Sequence, residues 1–313
     1  MLAKSFLARG LFKASRPAMR SQVWQRAMST QSPLSDPSRL AVLEAERTED
    51  GVATIRFNDP NKLNALTAEM GDQFLEIIEE LCGEGSKGLG AVVLTGTGRA
   101  FSAGGDINFL RDRHKDTPSR NAVVMRRFYE RFLAVRRLPV PVVAAINGPA
   151  IGAGLCVALG ADVRVAFDKA KLGVTFVQLG LHPGMGSTHF LPKIVGPQVA
   201  ARMLLTGEVV SGAEAKKIGL VADSFDSPEA CVAEAHALAA KMARAGPVSV
   251  RTCVRSLRMA QDEGLDRALW READAQAQCY ATEDYHDGVE AIAEKRPPVF
   301  TQREPLDDVV SRT

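Results

Sequence analysis

Backbone amides, more than side chains, carry the first sign of chemistry in this sequence. Two segments are rich in glycine and other small residues: Gly98-Arg99-Ala100-Phe101-Ser102-Ala103-Gly104-Gly105-Asp106 and Asn147-Gly148-Pro149-Ala150-Ile151-Gly152-Ala153-Gly154. Without bulky side chains to shield the N–H groups, a ligand can approach such backbone closely. N–H donors at the start of a helix, aided by its positive dipole end, suit a developing negative charge. Each preorganised donor to an oxyanion is worth about 3–4 kcal/mol of barrier. The same residues also suit tight strand-to-helix turns, and singly each segment fits either reading. The spacing Gly152-Ala153-Gly154 lacks the third glycine of a dinucleotide fingerprint.

Both segments follow apolar runs that can position them. Residues 91–95 and 140–146 are short continuous apolar stretches of the kind buried on both faces of a parallel sheet. Residues 163–166 repeat the pattern, and residues 52–57 alternate like a half-buried strand. Between them, Leu66, Met70, Phe74, Ile77, Ile78 and Leu81 fall on one stripe at helical spacing. Strand, helix, strand at this rhythm predicts an α/β core. From about residue 198 the pattern is helical almost throughout, including 228–244, 247–261 and 284–295.

Composition narrows the classes. At 313 residues, with 46% hydrophobic and 24% charged residues, the chain is ordinary for a globular protein. No run approaches the roughly 18 apolar residues a membrane span needs. Five scattered cysteines (Cys82, Cys156, Cys231, Cys253, Cys279) form no CxxC pair, so they suggest neither a disulfide framework nor a metal site. The net charge of +2 conceals an asymmetry: Lys4, Arg9, Lys13, Arg16, Arg20 and Arg26 precede the first acidic residue, Asp36, leaving 33 basic against 37 acidic residues elsewhere. An acid-free, Arg-rich, Ser-containing start reads as an organellar targeting peptide over residues 1–30, which puts the protein in the mitochondrial matrix. A basic tail or a nucleic-acid-binding arm are the alternatives. The mildly acidic body has no general attraction for nucleic acid.

In order and spacing, five segments between residues 40 and 302 resemble the crotonase (enoyl-CoA hydratase/isomerase) superfamily. They are Asn61-Lys62-Leu63-Asn64-Ala65-Leu66, Phe101-Ser102-Ala103-Gly104-Gly105-Asp106, the stretch from Asn147 to Gly154, Pro183-Gly184-Met185-Gly186, and Glu294-Lys295-Arg296-Pro297-Pro298-Val299-Phe300. The resemblance implies a spiral of ββα units over residues 40–200 and a helical trimerisation region over 201–313, giving a homotrimer or homohexamer. It implies oxyanion donors at the amides of Ala103 and Ala153. Coenzyme A contacts would come from Lys62, Leu63, Ala65, Ala103, Gly104, Asp106 and Ile107, with Lys295 and Phe300 near the adenine. A lysine suits a phosphate as a point charge, although Lys62 also suits a solvated surface. No tightly bound cofactor and no metal are expected; coenzyme A enters as part of an acyl-CoA substrate.

The pattern breaks where acid–base chemistry belongs. Aligned segment by segment, the family's two hydratase glutamates fall at positions 156 and 176, which here are Cys156 and Phe176. Phenylalanine transfers no proton, and a thiol with its ordinary pKa of about 8.5 substitutes poorly for a carboxylate; the simplest role for both is packing. His182, directly before the Pro-Gly turn, is the remaining candidate base. Asp59 and His114 are weaker candidates by analogy, Asp162 reads as structural, and His189 as too distant. The expectation is therefore an enoyl-CoA hydratase/isomerase-type enzyme, nominally a lyase of fatty-acid or branched-chain acyl-CoA breakdown. The alternatives are an isomerase, decarboxylase or thioester hydrolase on the same scaffold, or a non-catalytic CoA-binding scaffold. RNA binding is disfavoured by the acidic helix bearing Glu69, Asp72, Glu76, Glu79 and Glu80.

Overall fold

A computed structural model of the protein describes residues 33–44, 51–83, 86 and 88–300. The segment read as a targeting peptide lies outside them. In chain order the strands are β1 (Ala41–Glu44), β2 (Val52–Phe57), β3 (Ala91–Gly96), β4 (Val142–Ile146), β5 (Ala150–Ile151), β6 (Val163–Phe167), β7 (Lys171–Gly173), β8 (Val209–Ser211) and β9 (Asp223–Phe225). The helices are α1 (Ala68–Cys82), α2 (Ile107–His114), α3 (Pro118–Leu133), α4 (Ala153–Leu159), α5 (Ser187–Val195), α6 (Pro197–Thr206), α7 (Gly212–Lys217), α8 (Pro228–Ala243), α9 (Pro247–Asp262), α10 (Leu265–Cys279) and α11 (Glu283–Glu294).

Six strands form the main sheet in the order β1-β2-β3-β4-β6-β9, parallel except for β1, which pairs antiparallel with β2. Alternation along the strands divides the core. Ala53, Ile55, Phe57, Val92, Leu94, Val142, Ala144 and Ile146 join the large cluster that contains the α1 stripe. Val52, Ala91, Val93, Val143, Ala145 and Val165 point the other way, against Cys231, Ala235 and Ala239 at four-residue spacing on α8. Burial on both faces is why these strands read as continuous apolar runs. A second, small sheet of order β5-β7-β8 sits beside the main one. The anticipated strands and helices are present, and the C-terminal region is largely helical. It also contributes β8 and β9, so the sheets continue past residue 200. Three-residue strands are too short to show a period.

Helix α9 is tied to the sheet by charge more than by apolar packing; of its residues only Val254 and Arg258 are buried. Arg258 donates to both oxygens of Asp162 (2.8 and 2.5 Å) and to the carbonyls of Arg136, Leu138 and Val140. Asp162 also accepts the amide of Val142 at 2.7 Å, at the start of β4. This is the structural role read for Asp162. Removing one partner of a buried pair strands the other charge. Arg258→Ala should therefore lower the unfolding free energy by about 3 kcal/mol, measured as a fall in the urea midpoint at unchanged slope.

Candidate functional site

The two glycine-rich turns leave the carboxyl ends of adjacent parallel strands, β3 and β4, where open α/β sheets bind ligands. Two buried asparagines fix the chain as it leaves β3. Asn64 donates to the carbonyls of Thr97 (3.0 Å) and Ala100 (2.8 Å) and accepts the amide of Asp59 at 2.9 Å. Asn147, at the end of β4, donates to the carbonyls of Gly96 (2.9 Å) and Gly98 (3.0 Å), while its oxygen accepts from Thr95 and the Gly96 amide. The turns then run side by side: Ser102 bridges Ala150, and the Ile151 amide donates to the Ser102 carbonyl at 3.0 Å. Much of the glycine serves this contact. A Cβ on Gly154 would lie 2.6 Å from the Ser102 carbonyl oxygen. One on Gly104, whose φ is +96°, would lie 2.7 Å from the Ile151 oxygen and 3.7 Å from the Ala153 nitrogen.

Amide pairing corrects one expected donor. The Ala103 N–H donates to the Leu63 carbonyl at 2.9 Å, and the Gly104 N–H to the Ser102 hydroxyl at 3.2 Å. At the bridge between Leu66 and Gly105, Leu66 uses the Gly104 carbonyl and the Asp106 amide. The Gly105 N–H is therefore left without an acceptor among the described residues. Ala153 is the first residue of α4, whose N-cap, Gly152, has no capping side chain, so its N–H is likewise unpartnered among the described residues. On the two adjoining turns Gly105 and Ala153 therefore both have free amides among the described residues, whereas that of Ala103 is consumed by Leu63. Sequence spacing could not show this, because it depends on which amide the 61–66 loop consumes.

That loop forms the neighbouring wall. Leu63 and Asn64 are both left-handed (φ 53° and 56°), and Asn64 is held there by its buried amide. Lys62 is exposed, 3.9 Å from Asp59, and Ala65 donates its amide back to the Lys62 carbonyl. Asp106 spends its carboxylate as the N-cap of α2, on the amides of Asn108 and Phe109, and Ile107 opens that helix half-buried. Helix α11 lies against α2 through Tyr285 Oη to the Leu110 carbonyl (2.7 Å) and a bidentate Arg111–Glu290 pair. Lys295 and Phe300 follow at its far end, exposed.

The acid–base side is apolar or committed. Cys156, on α4, is fully buried, and its thiol donates to the Gly184 carbonyl at 3.5 Å. Burial, reinforced by the charge of Glu272, pushes its pKa far above the ordinary thiol range. Phe176 lies on the 3-10 turn Thr175–Leu179 and packs against the main core. His182 is half-buried, with Nδ1 enclosed and lacking a partner among the described residues. Burial, with a smaller contribution from Arg271, holds its imidazole below the ordinary range, so it is neutral and able to accept a proton at pH 7. The other candidates have partners: the Asp59 carboxylate lies 3.9 Å from the Lys62 ammonium, His114 is against the Tyr280 carbonyl, and His189 is on the Gln261 carbonyl. Among the described residues, no group of three or more metal-ligating side chains occurs.

Sequence reasoning passed over what lies behind the His182 turn. Glu272 and Gln276, one turn apart on α10, are both completely buried. Glu272 accepts the amides of Gly186 (2.6 Å) and Thr188 (2.9 Å) and the Thr188 hydroxyl. Gln276 donates to the His182 carbonyl at 2.8 Å and accepts from the hydroxyls of Tyr129 (2.6 Å) and Tyr280 (3.2 Å). The only signal was a glutamate and a glutamine four residues apart on the apolar face of a helix.

A model of the family described as "Enoyl-CoA hydratase/isomerase" matches residues 47–303. A protein described as a putative enoyl-CoA hydratase from Thermus thermophilus is 37% identical over 252 residues, 80% of this chain and 97% of that one. A 1,2-epoxyphenylacetyl-CoA isomerase of Escherichia coli is 35% identical over 258 residues, 81% of this chain and 96% of its own. A crystal structure of an enoyl-CoA hydratase from Mycobacterium avium subsp. paratuberculosis superimposes with a TM-score of 0.73 at 28% identity, covering 84% of this chain and 99% of that one.

Thiol burial at the site is measurable. Cys82 and Cys253 are exposed, whereas Cys156 and Cys231 are buried, with the Cys231 thiol pushed up to about 12 by burial alone. At pH 8, a disulfide reagent should modify Cys82 and Cys253 promptly and reach Cys156 and Cys231 only after denaturant is added. Mass mapping of early Cys156 modification would contradict its place in the core.

Proposed function

Since the chain belongs to the enoyl-CoA hydratase/isomerase family, we propose that it binds an acyl-CoA with the thioester oxygen between the amides of Gly105 and Ala153. There it stabilises the enolate that forms when the α-carbon loses a proton. The observation that carries this reading is the pair of unpartnered amides on adjoining turns, one of them at the start of α4. Two donors fixed before reaction stabilise developing charge without reorganisation. Residues Lys62, Leu63, Ala65, Ala103, Gly104, Asp106 and Ile107 form the wall along which the coenzyme would lie, and Lys295 and Phe300 belong to its adenine end.

Hydration by two carboxylates does not suit this pocket, because Cys156 holds its proton and Phe176 packs. A reaction that moves one proton by one base suits it better: double-bond isomerisation, with neutral His182 as base. The two relatives above carry hydratase and isomerase names at nearly equal identity, so identity alone does not choose between the reactions. Coenzyme A travels with the substrate, and the reading calls for no other cofactor. Val248, Leu257 and Met259 are 76%, 58% and 65% exposed on α9; this apolar surface supports assembly into trimers or hexamers. The acid-free, Arg-rich start supports delivery to the mitochondrial matrix.

Ala153 is the first helical residue, where proline is tolerated and removes only the N–H. Ala153→Pro should lower kcat on a 3-enoyl-CoA by about 100- to 1000-fold while CoA itself still binds by calorimetry. With His182 as base, kcat/KM should fall at low pH, where the imidazole is protonated. The limb should lie below the ordinary value of 6.5 and vanish in His182→Gln. A rate on crotonyl-CoA that exceeds the 3-enoyl rate would overturn the one-base assignment in favour of hydration.

A further inference from the structure

The turn that carries His182 is not rigid by its own chemistry. Met185 is left-handed (φ 57°) and Gly186 follows at φ 77°, a conformation that costs a non-glycine residue free energy unless its surroundings impose it. The surroundings come from 80 to 100 residues further along the chain. We propose that Glu272 and Gln276 of α10 are positioning residues that hold the 182–188 turn from behind and so set the direction of the His182 imidazole. The proposal rests on the reading of His182 as the base.

Their geometry supports a role in placement. Glu272 takes two consecutive-turn amides and one hydroxyl, capping the start of α5 from another helix. A carboxylate satisfied by three donors stays in one rotamer even though burial raises its pKa. Gln276 ties the His182 carbonyl directly, and its oxygen is oriented by Tyr129 and Tyr280, both fully buried. A Cβ on Gly184 would fall 2.5 Å from Tyr129 Oη and 2.6 Å from Gln276 Nε2, so the turn is pressed onto the network with no slack. The same Gly184 offers its carbonyl to Cys156 at the acyl side. The chain between His182 and Thr188 is thus fixed at both ends and in the middle. The His182 Nδ1 has no partner among the described residues and its ring interacts with the adjoining Pro183 backbone, so the path of the turn sets its orientation.

Gln276→Met tests the idea at similar volume and without adding a charge: the thioether cannot donate to the His182 carbonyl. The expected result is a folded protein whose His182, followed by NMR titration of labelled histidine, moves up toward 6.5 from its lowered value. The 3-enoyl-CoA kcat should drop about tenfold or more, as small misplacements of a catalytic group do, with little change in KM. An unchanged His182 titration in the folded variant overturns the proposal. If Gln276→Met does not fold, Thr188→Ala removes one hydroxyl donor to Glu272 and is read the same way. The NMR arm needs no activity: a protein that turns over no acyl-CoA but shows the His182 shift refutes the one-base reading while upholding the positioning role.

Discussion

Everything at the site depends on two turns being held at backbone-contact distance. Two amides can face one oxygen only if their chains lie closer than side chains normally allow. Gly104 and Gly154 supply that closeness, each with a carbonyl of the opposite turn where a Cβ would be. Asn64 and Asn147 maintain it, since each replaces with side-chain amide groups the backbone partners that carbonyls leaving a strand would otherwise lose. The strands set the scale: β3 and β4 are neighbours in a parallel sheet, so the chain segments that leave them begin about 4.8 Å apart. A site for an oxyanion thus follows from sheet geometry, two asparagines and the absence of side chains.

How much of this the sequence discloses depends on the range of the interaction. Long apolar runs and the α1 stripe announce buried strands and an amphipathic helix, because periodicity is local. The five ordered segments disclose the family and the location of the turns. Beyond that, legibility fades for physical reasons. β1, β5, β7, β8 and β9 are two to four residues long and exist through partners, not through pattern. Ala103 looks as available as Gly105 in a linear reading, and only the Leu63 carbonyl across the bridge decides between them. Glu272 and Gln276 carry no sequence signal beyond their four-residue spacing, because their partners lie on the 182–188 turn and at Tyr129. Asp162, by contrast, reads as structural from sequence, and its partner Arg258 lies 96 residues away.

Binding and proton transfer have different physical bases here. The proposed donors to the thioester are backbone groups, placed by the glycines and asparagines that hold the two turns together. Proton transfer depends on side chains, and here a buried thiol and a packed ring stand where the resemblance places carboxylates. That separation lets relatives of similar identity carry hydratase and isomerase names on one scaffold. An oxyanion hole lowers the barrier to an enolate whatever follows it, and the next step belongs to whichever side chain can hold a proton nearby.

The choice of that side chain is constrained by desolvation. Burying an ionisable group disfavours its charged form, so the same apolar wall has opposite consequences for different residues. It pushes Cys156 up and keeps its proton in place, which removes the thiol as a base. It pushes His182 down and leaves the imidazole neutral, the form that the proposed base needs. It raises Glu272 as well, but three donors absorb that carboxylate's acceptor capacity, so it can position without competing for the substrate's proton. Burial therefore moves the three titratable groups in the directions their charges dictate: thiol and carboxyl up, imidazole down.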